Sequence, residues 1–327
     1  MDKILSVSIA AYNIDQFIEN TVGSIVNSEV IEDIEIIIVN DGSKDNTLDK
    51  AIALRNQFPG SIVVVDKENG GYGSTINESI KLAKGKYYKL LDGDDWFKTE
   101  NLIKFIDFLR TCDADIVISP YCRVSDKEIL FDNHQEIGNT TIKIDSLLMN
   151  NAGFVMHEIT IKTEVFRAFN KTITEHCFYT DVEFTCNSFI SANTIARFED
   201  SIYCYRIDVE GQSISLNGLR KHSEDHPKVI NKVFSTYMEN ETSIQGNKKD
   251  IIDYWIENLT RNSFVSYLVC EDVDNSRCKL LNHNDSIKRR YPKLYEIGND
   301  SKLVKTLRFC HFKPYRFWRK YILTKFF

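Results

Sequence analysis

An excess of basic residues, a C-x-x-C pair, a long apolar run and an internal repeat are all missing from this sequence, and each absence removes a class of protein. Lys and Arg total 41 against 47 Asp and Glu, a formal net charge of -6. The basic footprint that neutralises nucleic-acid phosphates is therefore not there, and no nucleic-acid partner is expected. The eight cysteines, at 112, 122, 177, 186, 204, 270, 278 and 310, show no regular spacing and read as reduced, mostly buried thiols of a cytoplasmic protein. No segment approaches ~18 continuous apolar residues, so nothing is expected to span a membrane. The amino-terminal MDKILSVSIAAYN is apolar over too short a stretch for a secretory signal and lacks a small-residue cleavage pattern; it reads as a first core strand.

What is present is a globular composition: 327 residues, 43% hydrophobic and 12% aromatic, enough for a large core and one large domain with an appendage. The charge is unevenly spread. From Ser301 onward there are eight cations (Lys302, Lys305, Arg308, Lys313, Arg316, Arg319, Lys320, Lys325) and no acid, which leaves about -14 on the rest.

Four stretches read as strands, each handing over to a helical pattern. Leu5 to Ala10 runs into Ala11-Tyr12-Asn13; Ile34 to Val39 ends in Asn40-Asp41-Gly42-Ser43; Ile62 to Val65 ends in Asp66-Lys67-Glu68-Asn69-Gly70-Gly71-Tyr72-Gly73; Tyr87 to Leu91 ends in Asp92-Gly93-Asp94-Asp95. Strands alternating with helices point to an α/β protein with a mostly parallel sheet, and near-continuous apolar strands to a sheet covered on both faces. Ligands of such sheets bind outside the carboxyl ends of the strands, so these four polar ends are expected to line one edge. The glycine loop lacks the G-x-G-x-x-G dinucleotide pattern, and Asp92 to Asp95 lacks the further acids of an EF-hand.

Asp92 and Asp94 lie two apart and point the same way in an extended segment. Carboxylates that close repel by ~1 kcal/mol in water and ~4 kcal/mol at an effective dielectric of ~20, unless a cation neutralises them. Mn²⁺ or Mg²⁺, held by one or two carboxylates and a substrate's phosphates, suits so small a donor set, and the stretch therefore implies a phosphorylated ligand. The plainer alternative makes Asp92-Gly93 a turn and Asp95 the cap of the helix that follows.

Together VSIAAYN (7 to 13), VNDGSKDNT (39 to 47), ENGGYGSTIN (68 to 77), KLLDGDDWF (89 to 97), FYTDVEF (178 to 184) and YRIDVEGQSIS (205 to 215) resemble the family 2 glycosyltransferases of the GT-A fold, of the type that builds bacterial cell-surface polysaccharide. The resemblance implies a GT-A domain over 1–216, with a nucleotide-sugar half (1–120) and an acceptor and catalytic half (121–216), followed by a helical region over 217–327. It places Tyr12 against the nucleotide base, Asp41 on the base or ribose, and Asn13, Asn69, Gly70 and Asn77 in the same donor site. Asp92 contacts the ribose or the sugar and assists the metal, and Asp94 ligates it, as the DxD motif of the fold. Arg206 and Ser213 stand near the diphosphate, in a loop that closes over the donor. Ala10-Ala11 replace the family's usual proline. Ile76 stands where many members carry an arginine, leaving Lys67 or Arg206 to supply that charge.

Inverting transfer needs a base for the acceptor hydroxyl. Asp181 in His176 to Phe184 matches the family's base position, with its pKa raised by desolvation beside Phe178, Tyr179 and Phe184. Thr180 replaces a frequent glutamate, which keeps Glu183 as the alternative base. A plain helix start capped by Thr180 or Asp181 is the structural alternative. His157 and His176 have no partner at a metal-site spacing and read as structural.

The remainder is helical, over His222 to Tyr237 and Lys249 to Val269 and in a tail from Phe309 to Phe327. The tail places Tyr315, Trp318, Ile322 and Phe326 on one face and Lys313, Arg316 and Lys320 on another, so it fits either an anionic membrane surface or its own domain. The expected activity is metal-assisted inverting transfer from a nucleotide diphosphate sugar, most simply a UDP-sugar, to a saccharide or lipid-linked acceptor on the cytoplasmic face of a membrane. A nucleotidyltransferase would need an early glycine- and arginine-rich triphosphate loop that Ala10-Ala11-Tyr12-Asn13 does not supply. A catalytically idle nucleotide-sugar-binding module is the alternative from outside enzymology.

Overall fold

The computed structural model describes residues 3–207 and 215–326. The amino-terminal part alternates β1 (Leu5–Ala11), α1 (Ile18–Val26), β2 (Ile34–Asp41), α2 (Thr47–Gln57), β3 (Ile62–Lys67), α3 (Tyr72–Leu82) and β4 (Tyr87–Asp92). There follow β5 (Trp96–Phe97), α4 (Thr99–Thr111), β6 (Ile116–Ile118), β7 (Tyr121–Val124), β8 (Glu128–Phe131), β9 (Ile142–Lys143), β10 (Ile159–Lys162), α5 (Thr163–Phe169), α6 (Asp181–Ser191), β11 (Thr194–Arg197) and β12 (Tyr203–Arg206). The carboxyl-terminal part is helical: α7 (Leu216–Lys221), α8 (Asp225–Glu239), α9 (Gly246–Val269), α10 (Val273–Arg290), α11 (Pro292–Ile297), α12 (Lys302–Phe309) and α13 (Tyr315–Phe326).

The first four strands pair in parallel, as expected for strands too far apart in sequence to be joined by hairpins. Ile36, Ile37, Ile38 and Val39 are consecutive and wholly buried, which requires cover on both faces of the sheet. The large sheet runs β3-β2-β1-β4-β10-β6-β11-β9, with β10 antiparallel to β4 and β6. A small sheet, β5-β12-β7-β8, sits beyond the end of β4. The order 3-2-1-4 reverses direction of growth between β1 and β4. Their carboxyl ends therefore flank the topological switch point at which open α/β sheets leave a crevice.

The helical region shares the core of the sheet: Val229, Ile230, Ile251, Ile252 and Ile256 join the cluster that contains Ile9 and Leu91. A second, smaller cluster forms around Phe264, Leu268, Val304 and Ile322. The tail's predicted apolar face takes the inward option. Tyr315 and Ile322 are buried in that second cluster with Trp318 packed against it, and Tyr315 Oη donates to the Tyr267 carbonyl at 2.9 Å. Among the described residues no helix is long and apolar enough to cross a membrane.

Candidate active site

Asp92 closes β4, beside the end of β1 with which it is in register at Ala10. Gly93 then crosses so near β1 that a Cβ there would lie 2.5 Å from the Ala10 carbonyl oxygen and from Ile14 Cδ1. The glycine is required by this approach of the chain to itself. Gly93→Ala is expected to destabilise the fold by about 1–3 kcal/mol, the usual range for overpacking, which a urea unfolding midpoint would read.

Two hydroxyl donors and one amide donor organise the acids. Tyr72 Oη donates to Asp92 Oδ1 at 2.8 Å, Tyr203 Oη donates to Asp95 Oδ2 at 2.7 Å, and the Arg206 amide donates to Asp95 Oδ1 at 2.7 Å. The Asp92 amide in turn donates to Tyr203 Oη at 3.1 Å. Asp95 thus joins β4 to β12 and makes no side-chain cap on α4, contrary to the capping alternative; that helix has Lys98 at its cap position. Arg206 Nε donates to the Asp94 carbonyl at 2.8 Å, and its guanidinium lies 4.6 Å from the Trp96 ring centre and 5.1 Å from that of Phe17.

Burial raises the pKa of Asp92, Asp94 and Asp95 above the ordinary carboxylate range. The like charge of Asp94 adds to the rise at Asp92, the charges of Asp92 and Asp94 add to it at Asp95, and Arg206 offsets part of it at Asp94. Asp92, Asp95 and His157 each offer a ligand atom within 4.8 Å of the others. His157 is stacked between Tyr121 and Tyr205, and its Nδ1 is buried with no hydrogen-bond partner among the described residues. Crowded carboxylates with an unpartnered imidazole nitrogen fit a divalent cation. His157, read from sequence as structural, is brought here by β10 from 62 residues beyond Asp95, and no local spacing carries that signal.

The loops after β1, β2 and β3 are tied to one another. Asp41 is buried, its Oδ1 accepting from Lys67 Nζ at 2.7 Å and the Gly70 amide at 2.8 Å, its Oδ2 from the Gly71 amide at 2.8 Å. Asn69 Nδ2 donates to the Asp41 carbonyl at 2.9 Å, and Asn13 Oδ1 accepts from the Lys44 amide at 2.8 Å. Asn77 Nδ2 donates to the Ile173 carbonyl at 2.9 Å and to Glu175 Oε1 at 3.0 Å. Asp41, Asn13, Asn69 and Asn77 therefore have work within the protein in this structure, where the sequence reading had them on the donor. Lys67 is likewise committed to Asp41, and of the two candidate replacement cations it is Arg206 that stands beside Asp94. Tyr12 is 50% exposed and offers a free ring face at the rim. Ile76 is a core residue, and Ser213 lies outside the described residues.

Asp181 opens α6, near enough to Asp92 and Tyr72 for its charge to add to the raised pKa of both. Burial raises the pKa of Asp181 itself, moderated by its own amide and that of Val182. Thr180 makes no cap hydrogen bond, so the capping alternative through that residue is not met. Glu183 is buried, accepts from the Thr174 amide at 2.8 Å, and has its pKa raised to about 7 by burial. The approach to Asp181 is made of unusual backbone: His176 and Tyr179 have φ of 50° and 65°. Such conformations cost ~1–3 kcal/mol each and persist where surrounding structure dictates them. That structure is the helical region: Phe178 stacks on His222 at 3.6 Å between ring centres and Tyr179 on His226 at 3.8 Å.

The profile of glycosyl transferase family 2 matches residues 6–178, a stretch that holds the switch point, Asp92, Asp94 and Asp95, and the loops, and ends just before Asp181. The chain belongs to that family. Among curated relatives, a poly(ribitol-phosphate) beta-glucosyltransferase of Bacillus spizizenii is 26% identical over 216 residues, 65% of this chain and 33% of the relative. The minor teichoic acid biosynthesis protein GgaB of Bacillus subtilis is 34% identical over 119 residues, 35% of this chain and 13% of its own. The chain thus aligns with a third or less of either relative. Among solved structures, S. aureus TarS 1-349 in complex with UDP-GlcNAc superposes with a TM-score of 0.57 at 16% identity, covering 89% of this chain and 92% of that one. A Pyrobaculum calidifontis mannosyltransferase in complex with GDP-Man and Mn2+ gives 0.54 at 11% identity, covering 99% and 86%. At these identities the likeness is one of fold, and the fold of this family 2 chain is GT-A.

Two residues that shape the site of this family 2 chain, Tyr72 and Tyr203, were not singled out by the sequence reading. Tyr72 stood inside the quoted glycine loop, but its partner Asp92 is 20 residues away on another strand. Tyr203 is 111 residues from the Asp92 amide it receives.

Proposed function

We propose that the chain is an inverting glycosyltransferase that moves a sugar from a nucleotide diphosphate sugar, most simply a UDP-sugar, to a hydroxyl of a saccharide or lipid-linked acceptor in cell-surface glycan synthesis on the cytoplasmic side of a membrane. The observation that carries this is the cluster of Asp92, Asp95 and His157 at the switch point with Asp181 near enough for its charge to act on Asp92, because it sets a carboxylate able to take a proton near acids suited to a diphosphate-bound cation. The curated glucosyltransferase relative and the UDP-GlcNAc complex of TarS support the donor class.

In this reading residues 1–216 carry donor and chemistry, and 217–327 buttress the acceptor side. Tyr12 flanks the base, while Asp41, Asn13, Asn69 and Gly70 hold the loop that receives the nucleoside. Asn77 secures the segment leading to His176, and Ser213 and Arg206 flank the diphosphate. Asp94 and Asp92, with Asp95 and His157 beside them, would hold Mn²⁺ or Mg²⁺, which would supply Lewis-acid stabilisation of the departing diphosphate. Arg206 stands beside Asp94 and adds a fixed positive charge on the leaving side. Asp181 accepts the acceptor hydroxyl's proton as the oxygen attacks the anomeric carbon, and the bond from that carbon to the diphosphate oxygen breaks.

The raised pKa of Asp181 gives the sign of the pH dependence. The base acts when ionised, so kcat/KM falls as pH drops through a midpoint lying above the ordinary 3.8. An initial-rate profile under saturating metal would show this limb, and its disappearance in an Asp181 variant would tie it to that residue. The donor assignment is tested by melting the protein with a panel of nucleotide sugars, with and without Mn²⁺. The true donor raises the melting temperature by mass action, and only with the cation. No shift with any UDP-sugar would remove the uridine assignment.

A further inference from the structure

The inward packing of Tyr315 and Ile322 leaves the opposite face of α13 unaccounted for. Arg316, Phe317, Lys320 and Tyr321 are all exposed there, with Phe317 58% and Tyr321 41% accessible. Phe317 and Tyr321 are four apart, as are Arg316 and Lys320, so two apolar rings and two cations form adjacent stripes on successive turns. Lys313 precedes them and Lys325 follows, and Phe309 at the end of α12 is 84% accessible. Three of the eight cations of this acid-free segment have partners within the protein: Arg308 donates to Asn284 Oδ1 at 2.9 Å, Arg319 to the Cys270 carbonyl at 3.2 Å and Lys325, itself exposed, to Tyr321 Oη at 3.2 Å. The other five are exposed.

We infer that the outer face of α13, with Phe317 and Tyr321 as apolar anchors and Arg316 and Lys320 as anion contacts, docks this protein on an anionic lipid bilayer. Lys and Arg near such a surface are attracted by its negative potential, and aromatic rings gain by entering the boundary between headgroups and acyl chains. The charge distribution supplies the orientation. With about -14 on the rest of the chain, the acid-free segment is the stretch of net positive charge that favours the lipid, and a screening length of about 8 Å lets the patch act independently of the distant net charge. A soluble polyanion would engage the cations but leave the rings in water. A second copy meeting this face across a two-fold axis would set like charges against each other. The inference is independent of the catalytic reading, since none of these residues belongs to the site at the switch point.

The test is co-sedimentation of the full chain with vesicles of equal parts phosphatidylglycerol and phosphatidylcholine, against pure phosphatidylcholine. Wild type is expected to bind the anionic vesicles at least about tenfold more tightly, an advantage that shrinks as salt is raised. The double variants Arg316→Glu with Lys320→Glu, and Phe317→Ser with Tyr321→Ser, should each weaken binding by about tenfold with an unchanged melting temperature. Equal binding to both lipids, or wild-type affinity in both variants, would overturn the inference. So would sedimentation velocity showing a wild-type oligomer that these substitutions dissociate while vesicles go unbound. The salt and lipid comparisons need only wild type, so a variant that fails to fold does not shield the inference.

Discussion

Asp181→Asn is expected to reduce transfer by ~10²–10⁴-fold, the range that a positioned general base contributes, while leaving metal-dependent donor binding intact. The substitution keeps the shape of the side chain at the first position of α6 and removes only its ability to hold a proton. Its carboxylate also adds to the repulsion on Asp92, so its loss relieves the metal-side acids and gives no reason for weaker donor affinity. The measurement pairs initial rates of UDP release in the presence of an acceptor glycan with a donor-induced melting shift. Glu183→Gln is the control: Glu183 is buried and bonded to the Thr174 amide, so its loss should cost stability more than turnover. A rate collapse in the Glu183 variant with a near-normal Asp181 variant would move the base to Glu183.

Asp94→Ala and Asp92→Asn are expected to abolish the cation's contribution to donor binding and to lower transfer by ~10²–10³-fold, as removal of a preorganised electrostatic partner of a leaving group does. For wild type, donor with Mn²⁺ at about a hundredfold above Kd adds about 2.7 kcal/mol of stability. Either variant should show the same melting temperature with and without Mn²⁺ in the presence of UDP. The two differ in the ground they stand on. Asp92 also receives the Tyr72 hydroxyl, so its neutral replacement disturbs a buried bond, whereas Asp94 engages Arg206 through its backbone carbonyl and can lose its side chain with that bond intact. Undiminished metal-dependent stabilisation in both variants would remove the DxD acids from cation binding and leave Asp95 and His157 to be tested in their place.

Much of the fold could be read in advance because its signals are local. Ile34 to Val39 is a run of β-formers bounded by Asp33 and by Asn40-Asp41-Gly42, and such a run buried on both faces has few alternatives to an inner strand of a parallel sheet. The alternation with apolar-striped helices then limits the topology, and the polar strand ends mark the ligand edge. The order of those strands was not legible, because neither β10 between β4 and β6 nor the separate small sheet follows from any local pattern. The tail shows the same limit. Its two-faced helix could be seen in the spacing of Tyr315, Trp318 and Ile322, but which face meets the protein depends on the surface that α9 presents.

The sequence by itself determined the first four strands with their helices and the acids at the end of β4, since strand runs, turn residues and Asp92-Gly93-Asp94-Asp95 are contiguous in the chain, and its motifs carried the resemblance to the GT-A class. The tertiary structure alone decided who keeps company with those acids. Tyr72, His157, Asp181 and Tyr203 arrive from four separate segments, and Asp41, Asn69 and Asn77 each hydrogen-bond a segment distant in the chain. The physical reason is that hydrogen bonding and desolvation act through space: a carboxylate's partners and pKa depend on which groups packing brings within a few ångströms, and chain separation does not encode that.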